Sequence, residues 1–204
     1  MNVYVETNFI LELAWMQEQY ESCENILTLC EAGKAKLILP AYSIGETFEK
    51  LGRHKQVRKQ LSDDFTKQLK ELKRSSFHKD RIRTFDMDMV AVFLQNTELE
   101  NENLLNTHDR LFSVAEIIPM ETDVLVFAKN VELNSPQDSI VYASVLKHLY
   151  LNNAEKSCFL NKNTKDFNDP AIKEELRNNK CKLFLGAECC FNDGYNYINS
   201  LINK

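Results

Sequence analysis

Val3-Tyr4-Val5 opens the chain as a run of β-branched and aromatic residues. From Phe9 the apolar positions move to helical spacing, at Phe9, Ile10, Leu13 and Ala14. This change of step predicts a strand over 2–6 and a helix from about Asn8 to Gln19, with Thr7 or Asn8 able to cap it. A second helix over 20–32 places Cys23, Ile26, Leu27 and Cys30 on one face and stops at Gly33. Lys36–Leu39 reads as a short apolar strand stopped by Pro40. Ala41 to about Arg74 keeps helical spacing throughout. Ile44, Phe48 and Leu51 face inward, and Leu61, Phe65, Leu69 and Leu72 continue the stripe within a basic surface.

Ser75-Ser76-Phe77 breaks the pattern, and more helix follows, with one stripe at Phe85, Met89, Val92 and Phe93 and part of another at Leu111, Phe112, Val114 and Ala115. The acidic, Asn-rich stretch Asn96–Asn106 between them reads as a loop or helix junction. Ile117–Met120 is a connector or brief strand, and 121–130 is helical. Ser135-Pro136 opens a helix as cap and first residue, and the helix runs to about Leu151. Ser157–Leu160 is a strand, Asn161–Asp169 a polar loop, and Pro170 the start of a short helix. Lys182–Leu185 is a further strand, and Glu188–Ile202 a terminal helix. Strands alternating with helices predict an α/β fold with a central parallel sheet and helices on both faces.

The 204 residues suffice for one well-buried domain, expected over 1–204, with a helical insertion at about 50–118. Only 5 Gly and 4 Pro argue against a turn-rich all-β fold. No apolar run approaches a membrane span, and the N-terminus lacks a basic region followed by a signal-like core, so a cytoplasmic location is expected. The 6 Cys form no CxxC pair and sit among apolar residues, which predicts reduced, buried thiols. Charge is unevenly spread. Residues 50–83 hold twelve Lys or Arg against four Asp or Glu, a net of +8, so the remainder carries −13 of the overall −5. An acidic body with a basic arm fits a carboxylate-lined site fed by an anionic polymer; a solvated helix face fits the arm equally well.

Four carboxylates fall at comparable places. Glu6 ends the first strand, and Glu46 lies in the first turns of the helix after the second. Asp138 lies in the first turn of its helix, and Asp166 in the loop after Ser157–Leu160. In a parallel sheet each reaches the carboxyl ends of the strands, where ligands bind. Singly, such residues serve as caps or macrodipole partners. Four together repel unless a cation neutralises them. Oxygen donors with no His or Cys cluster select Mg²⁺ or Mn²⁺ over zinc, and such ions support hydrolysis at phosphorus. His54, His78, His108 and His148 are scattered and read as surface or satisfied positions. No glycine-rich phosphate loop is present.

These stretches resemble the PIN-domain ribonucleases. Val3-Tyr4-Val5-Glu6-Thr7-Asn8-Phe9 looks like the opening strand-acid-Thr-Asn motif, and Pro40-Ala41-Tyr42-Ser43-Ile44-Gly45-Glu46 like the second. Asp138–Ala143 and Phe159–Phe167 look like the third and fourth. The likeness covers roughly 1–50 and 120–190 and leaves out the basic helical middle. It implies a three-layer α/β/α nuclease that binds Mg²⁺ or Mn²⁺ and hydrolyses RNA phosphodiester bonds. By position, Glu6, Asp138 and Asp166 would be metal ligands, and Glu46 a ligand or an aid to the attacking water. Thr7 and Asn8 would steady the first acid. Glu6 stands where most relatives have Asp, and Asn163 stands near an earlier Asp of the last motif. The fourth motif could therefore use Asp166 with Asn163 or Asp169 assisting. Arg53, Lys55, Arg58 and Lys59 on the basic arm would hold the phosphate backbone. Two other readings stand beside this one. The chain could be a weak or inactive RNA-binding scaffold that kept the fold, or a toxin whose acidic cleft is blocked by a protein inhibitor or antitoxin.

Overall fold

A computed structural model describes residues 1–77, 88–131, 133–152 and 156–203. Along the chain it has β1 (Asn2–Tyr4), α1 (Thr7–Trp15), α2 (Tyr20–Glu31), β2 (Lys36–Pro40), α3 (Ala41–Lys73), α4 (Asp88–Val114) and β3 (Glu116–Ile118). There follow α5 (Thr122–Lys129), α6 (Pro136–Asn152), β4 (Ser157–Asn161), α7 (Thr164–Phe167), α8 (Pro170–Asn178), β5 (Cys181–Leu185) and α9 (Cys190–Ile202).

All strand pairings are parallel, and the order is β3-β2-β1-β4-β5, with β1 innermost. Val3 stands opposite Leu37 on one side and Cys158 on the other. Because a strand alternates faces, Val3, Val5, Leu37, Leu39, Cys158 and Leu160 pack against α1, α2 and α9. Tyr4, Ile38, Phe159 and Cys181 point the other way, onto α6 and α8. Both faces are thus covered, as a parallel sheet requires, and the architecture is three-layer α/β/α. At Gly194 the helix α9 approaches β4 so closely that an added Cβ would meet Leu160 at 2.5 Å.

The structure departs from the sequence reading in several places. The Asn-rich stretch 96–106 is continuous helix within α4, held by polar contacts with α3 and by Leu104, which is fully buried in the core. The loop 161–169 contains the turn of helix α7, nucleated by the Asn163 cap. Phe48, Leu61, Phe65 and Leu72 on α3 are exposed, and only Leu51 and Leu69 of that stripe are buried. On α4 Val92 is exposed, while Phe85 and the side chains of Met89 and Phe93 lie outside the described residues. Five cysteines are buried and all six are free, but Cys189 is exposed. Among the described residues no helix is long and apolar enough to cross a membrane.

Candidate active site

β1 ends at Tyr4, and the Val5 N–H extends its ladder by one bond to the Ile38 carbonyl, at 3.1 Å. Glu6 follows in extended conformation as the N-cap of α1, accepting the Asn8 N–H at 3.0 Å. The acid itself is therefore the cap, in place of Thr7 or Asn8. Thr7 is buried, and its hydroxyl donates to Glu46 Oε2 at 2.5 Å, tying the start of α1 to the second turn of α3. Lys50, one turn further along α3, stands 3.4 Å from Glu46 Oε1. An open cleft of about 220 Å³ adjoins this point, lined by Tyr42, Glu46, Glu49 and Met120 among others.

The second half of the site hangs from β4. Asn163 caps α7, its Oδ1 accepting the N–H groups of Lys165 and Asp166. That engagement fixes the amide's orientation, since a flip would set its oxygen against carboxylates and its NH₂ against N–H donors. The NH₂ accordingly donates to Asp138 Oδ2 and to Asp166 Oδ2, each at 2.9 Å. Asp166 is 7% exposed and also accepts from the Asn134 backbone and side chain at 3.0 and 2.9 Å. Its neighbour Phe167 is driven under the sheet, edge-on to Phe159 and Tyr142, which anchors this turn. Asp138 lies where the sequence pattern puts it, its N–H accepted by the Ser135 hydroxyl at 3.3 Å.

Electrostatics join the halves. Burial comes first for Glu6, which is 6% exposed, and pushes its carboxyl up to about 7. The Asn8 N–H and Lys50 act against that rise, and Glu46 adds to it. Asp138 is also raised, chiefly by burial. The Ser135 hydroxyl and Lys50 lower it, and Asp166 and Glu46 raise it further. Burial acts upward on Asp166 too, but the bonds from Asn163 and Asn134 outweigh it and hold this carboxyl below the usual range. Lys50 and Glu46 thus act on both Glu6 and Asp138, which places the four groups in one field.

Asp169 stands apart as the N-cap of α8, accepting the Ala171 N–H. The basic arm also differs from expectation. Arg58 forms a bidentate pair with Glu100 at 2.7 Å and donates to Thr97, so its guanidinium docks α3 on α4. Arg53 pairs with Glu49 and Lys55 bonds Asn101, while Lys59 is exposed without an ion pair among the described residues. His148 bonds the Tyr4 hydroxyl, His108 bonds Thr47, and His54 stacks on Trp15. His78 lies outside the described residues.

Sequence reasoning missed Lys50, Asn134 and the buried Glu12–Lys162 pair beside the site. For Lys50 the signal was its position four residues after Glu46. Asn134 offers none, because its partner is set only by the fold.

The donor set suits a hard divalent cation. It offers only oxygens, and Glu6 Oε1 is buried with no hydrogen-bond partner among the described residues. Among the described residues no three His, Cys, Asp or Glu side chains stand together closely enough to hold an ion by themselves. Magnesium commonly takes one or two carboxylates and fills its shell with water and substrate phosphate, which Glu6 and Asp138 could accommodate. A family model described as PIN domain matches residues 3–167, spanning β1 to α7. The chain belongs to the PIN-domain family. No curated protein and no solved structure matches it significantly. PIN domains are generally nucleases and typically depend on divalent metal. In this PIN domain the acids gather at the carboxyl ends of β1, β2 and β4, the edge where an open parallel sheet receives ligands.

Proposed function

We propose that this PIN domain is a metal-dependent endoribonuclease, hydrolysing RNA phosphodiester bonds with Mg²⁺ or Mn²⁺. The observation that carries the reading is Glu6 Oε1, a buried carboxylate oxygen without a hydrogen-bond partner among the described residues, in one field with Glu46 and Asp138. Glu6 and Asp138 would hold the cation. When bound, the ion acidifies water and offsets charge developing on phosphate. Thr7 and Lys50 fix Glu46 through its two oxygens, and from that held position the carboxylate would orient the attacking water. Asn163 holds Asp138 against Asp166 and keeps both from splaying into solvent.

The test pairs cleavage of labelled RNA with calorimetric titration of Mn²⁺, on wild type and Asp138→Asn. The expected outcome is Mn²⁺-dependent cleavage and binding that both fall in the variant. The fall should be at least the roughly 10–100-fold that loss of an outer partner costs at a metal site. Cleavage indifferent to Asp138 would defeat the proposal. A second reading, an RNA-binding PIN domain of weak or no activity, draws on the Asn163 amide, which bridges Asp138 and Asp166 by hydrogen bonds without any cation. It predicts no Mn²⁺ heat in either protein.

A further inference from the structure

Away from the acids, α8 and the start of β5 build a second charged feature. Lys173 and Arg177 are four apart on α8 and so share a face. The chain then turns through Lys180, at φ 55, with its N–H donated to the Arg177 carbonyl. β5 is an edge strand, and Lys182 leaves it on the face opposite Cys181. Its ammonium lies 4.7 Å from the Phe184 ring centre and 4.6 Å from that of Tyr197. These four cations, with Cys181 and Leu183, line an open cleft of about 480 Å³.

A lysine on an edge strand guards against strand addition, which accounts for Lys182. That role does not account for Lys173 and Arg177, which belong to a helix, or for Lys180 in the turn. Nor is the charge spent internally. Lys173 bonds the neutral Asn168, and Arg177, Lys180 and Lys182 have no ion pair among the described residues. Glu174 is exposed on the same helix, whereas Glu175 turns its carboxylate to the Tyr142 and Tyr150 hydroxyls. The contrast with α3, where Arg53 and Arg58 are paired with carboxylates, is direct.

The geometry points to this cleft as a binding site for the phosphate backbone of single-stranded RNA, resting on the reading of the chain as an RNA-directed nuclease. Four cations gathered in one open cleft, with no acidic side chain among the described residues of its lining, suit the closely repeated charges of a phosphate backbone, the group on which the proposed chemistry acts. The cleft sits at the amino end of β5, level with Ser157–Phe159 of β4, whereas Asn163 and Asp166 lie beyond Asn161. Two to four residues of strand, roughly 7–13 Å, and the turn to Asn163 separate the two levels. Phosphates held in the cleft therefore flank the reacting one, and the cleft governs binding rather than the chemical step.

The experiment is anisotropy of the full chain with a labelled single-stranded oligouridylate across a salt series, in chelator so that no cleavage occurs. Each phosphate contact on a single strand contributes about 0.7 to the slope of log K against log salt. Lys173→Gln/Arg177→Gln should thus flatten the slope by about 1.4, with an unchanged urea midpoint as the control for folding. Lys34→Gln/Lys129→Gln removes the same charge from exposed positions elsewhere and should leave the slope unaltered. The proposal is overturned if the wild type does not bind. It is equally overturned if both double variants behave alike, or if polyglutamate competes as well as RNA at equal charge. RNA that binds through the cleft but is never cut when Mn²⁺ is added would defeat the nuclease reading alone.

Discussion

Glu6 is the residue on which the site's behaviour with pH turns. In the unfolded chain its carboxyl titrates near 4.5, and in the fold near 7, so the native state favours the protonated acid. That preference contributes fully below the unfolded value and is lost as pH rises through the folded one. Above pH 7 the fold carries a buried carboxylate at a cost on the order of 3 kcal/mol. Glu6→Gln keeps an oxygen for the Asn8 N–H and cannot ionise. In urea unfolding of the metal-free proteins, the variant should gain about 3 kcal/mol on wild type between about pH 5 and pH 8. Parallel profiles would mean that burial does not act on this carboxyl as described. The four acids were legible at this scale because strand ends and helix starts announce themselves in sequence. Their partners were not. Thr7 looks like a cap and serves as a donor to Glu46. Asn163 looks like a lost charge and in fact bridges two others through a cap that forms only once α7 folds.

The pairing of α3 with α4 belongs to the scale of elements. Arg58 and Glu100 are each about four-fifths buried at the side chain, and their fork also takes in Thr97. Arg58→Ala leaves Glu100 without its partner. It should cost about 1–2 kcal/mol, the range of a hydrogen-bonded charge pair at a partly wet interface. Hydrogen exchange should quicken in α4 around residues 97–101 while β1 and β4 keep their protection; uniform quickening would contradict a local role. This interface explains why 96–106 misled as a sequence. Its acidic and amide residues make a poor helix face when read alone, and they become a good one only opposite Arg58 and Lys55. The same pairing reduces the arm's apparent +8, which counts cations without the acids that meet them from other elements.

For the whole molecule, the ordering of the sheet decides what binding can do. Alternating strands and helices were enough to expect a parallel sheet with two covered faces. The order β3-β2-β1-β4-β5 was not readable, since periodicity within a strand says nothing about its neighbours. Glu6 follows the central strand, while Asp138 begins a helix packed on the opposite face from α1. A cation shared by them spans both layers, so its binding energy must be surrendered on global unfolding. At a hundredfold excess over its dissociation constant, Mn²⁺ should add about 2.7 kcal/mol to the exchange protection of β1 and β4 alike. The outer turns of α3 near residues 60–73 should not respond, and protection confined to α1 would place the ion elsewhere.

Parallel pairing of β1 with β4 also orders events in time. β1 pairs with β2 after about thirty residues, but its other flank stays bare until residues 157–161 are synthesised. Glu6 and Glu46 therefore wait for Asp138 and Asp166. At ribosomal rates of about 5–20 residues per second, the 120 residues between Glu46 and Asp166 take roughly 6–24 s to emerge. Throughout that interval the growing chain lacks at least one of its four acids and has no finished site, so on the proposed function a PIN domain still being made would be unarmed toward the message that encodes it.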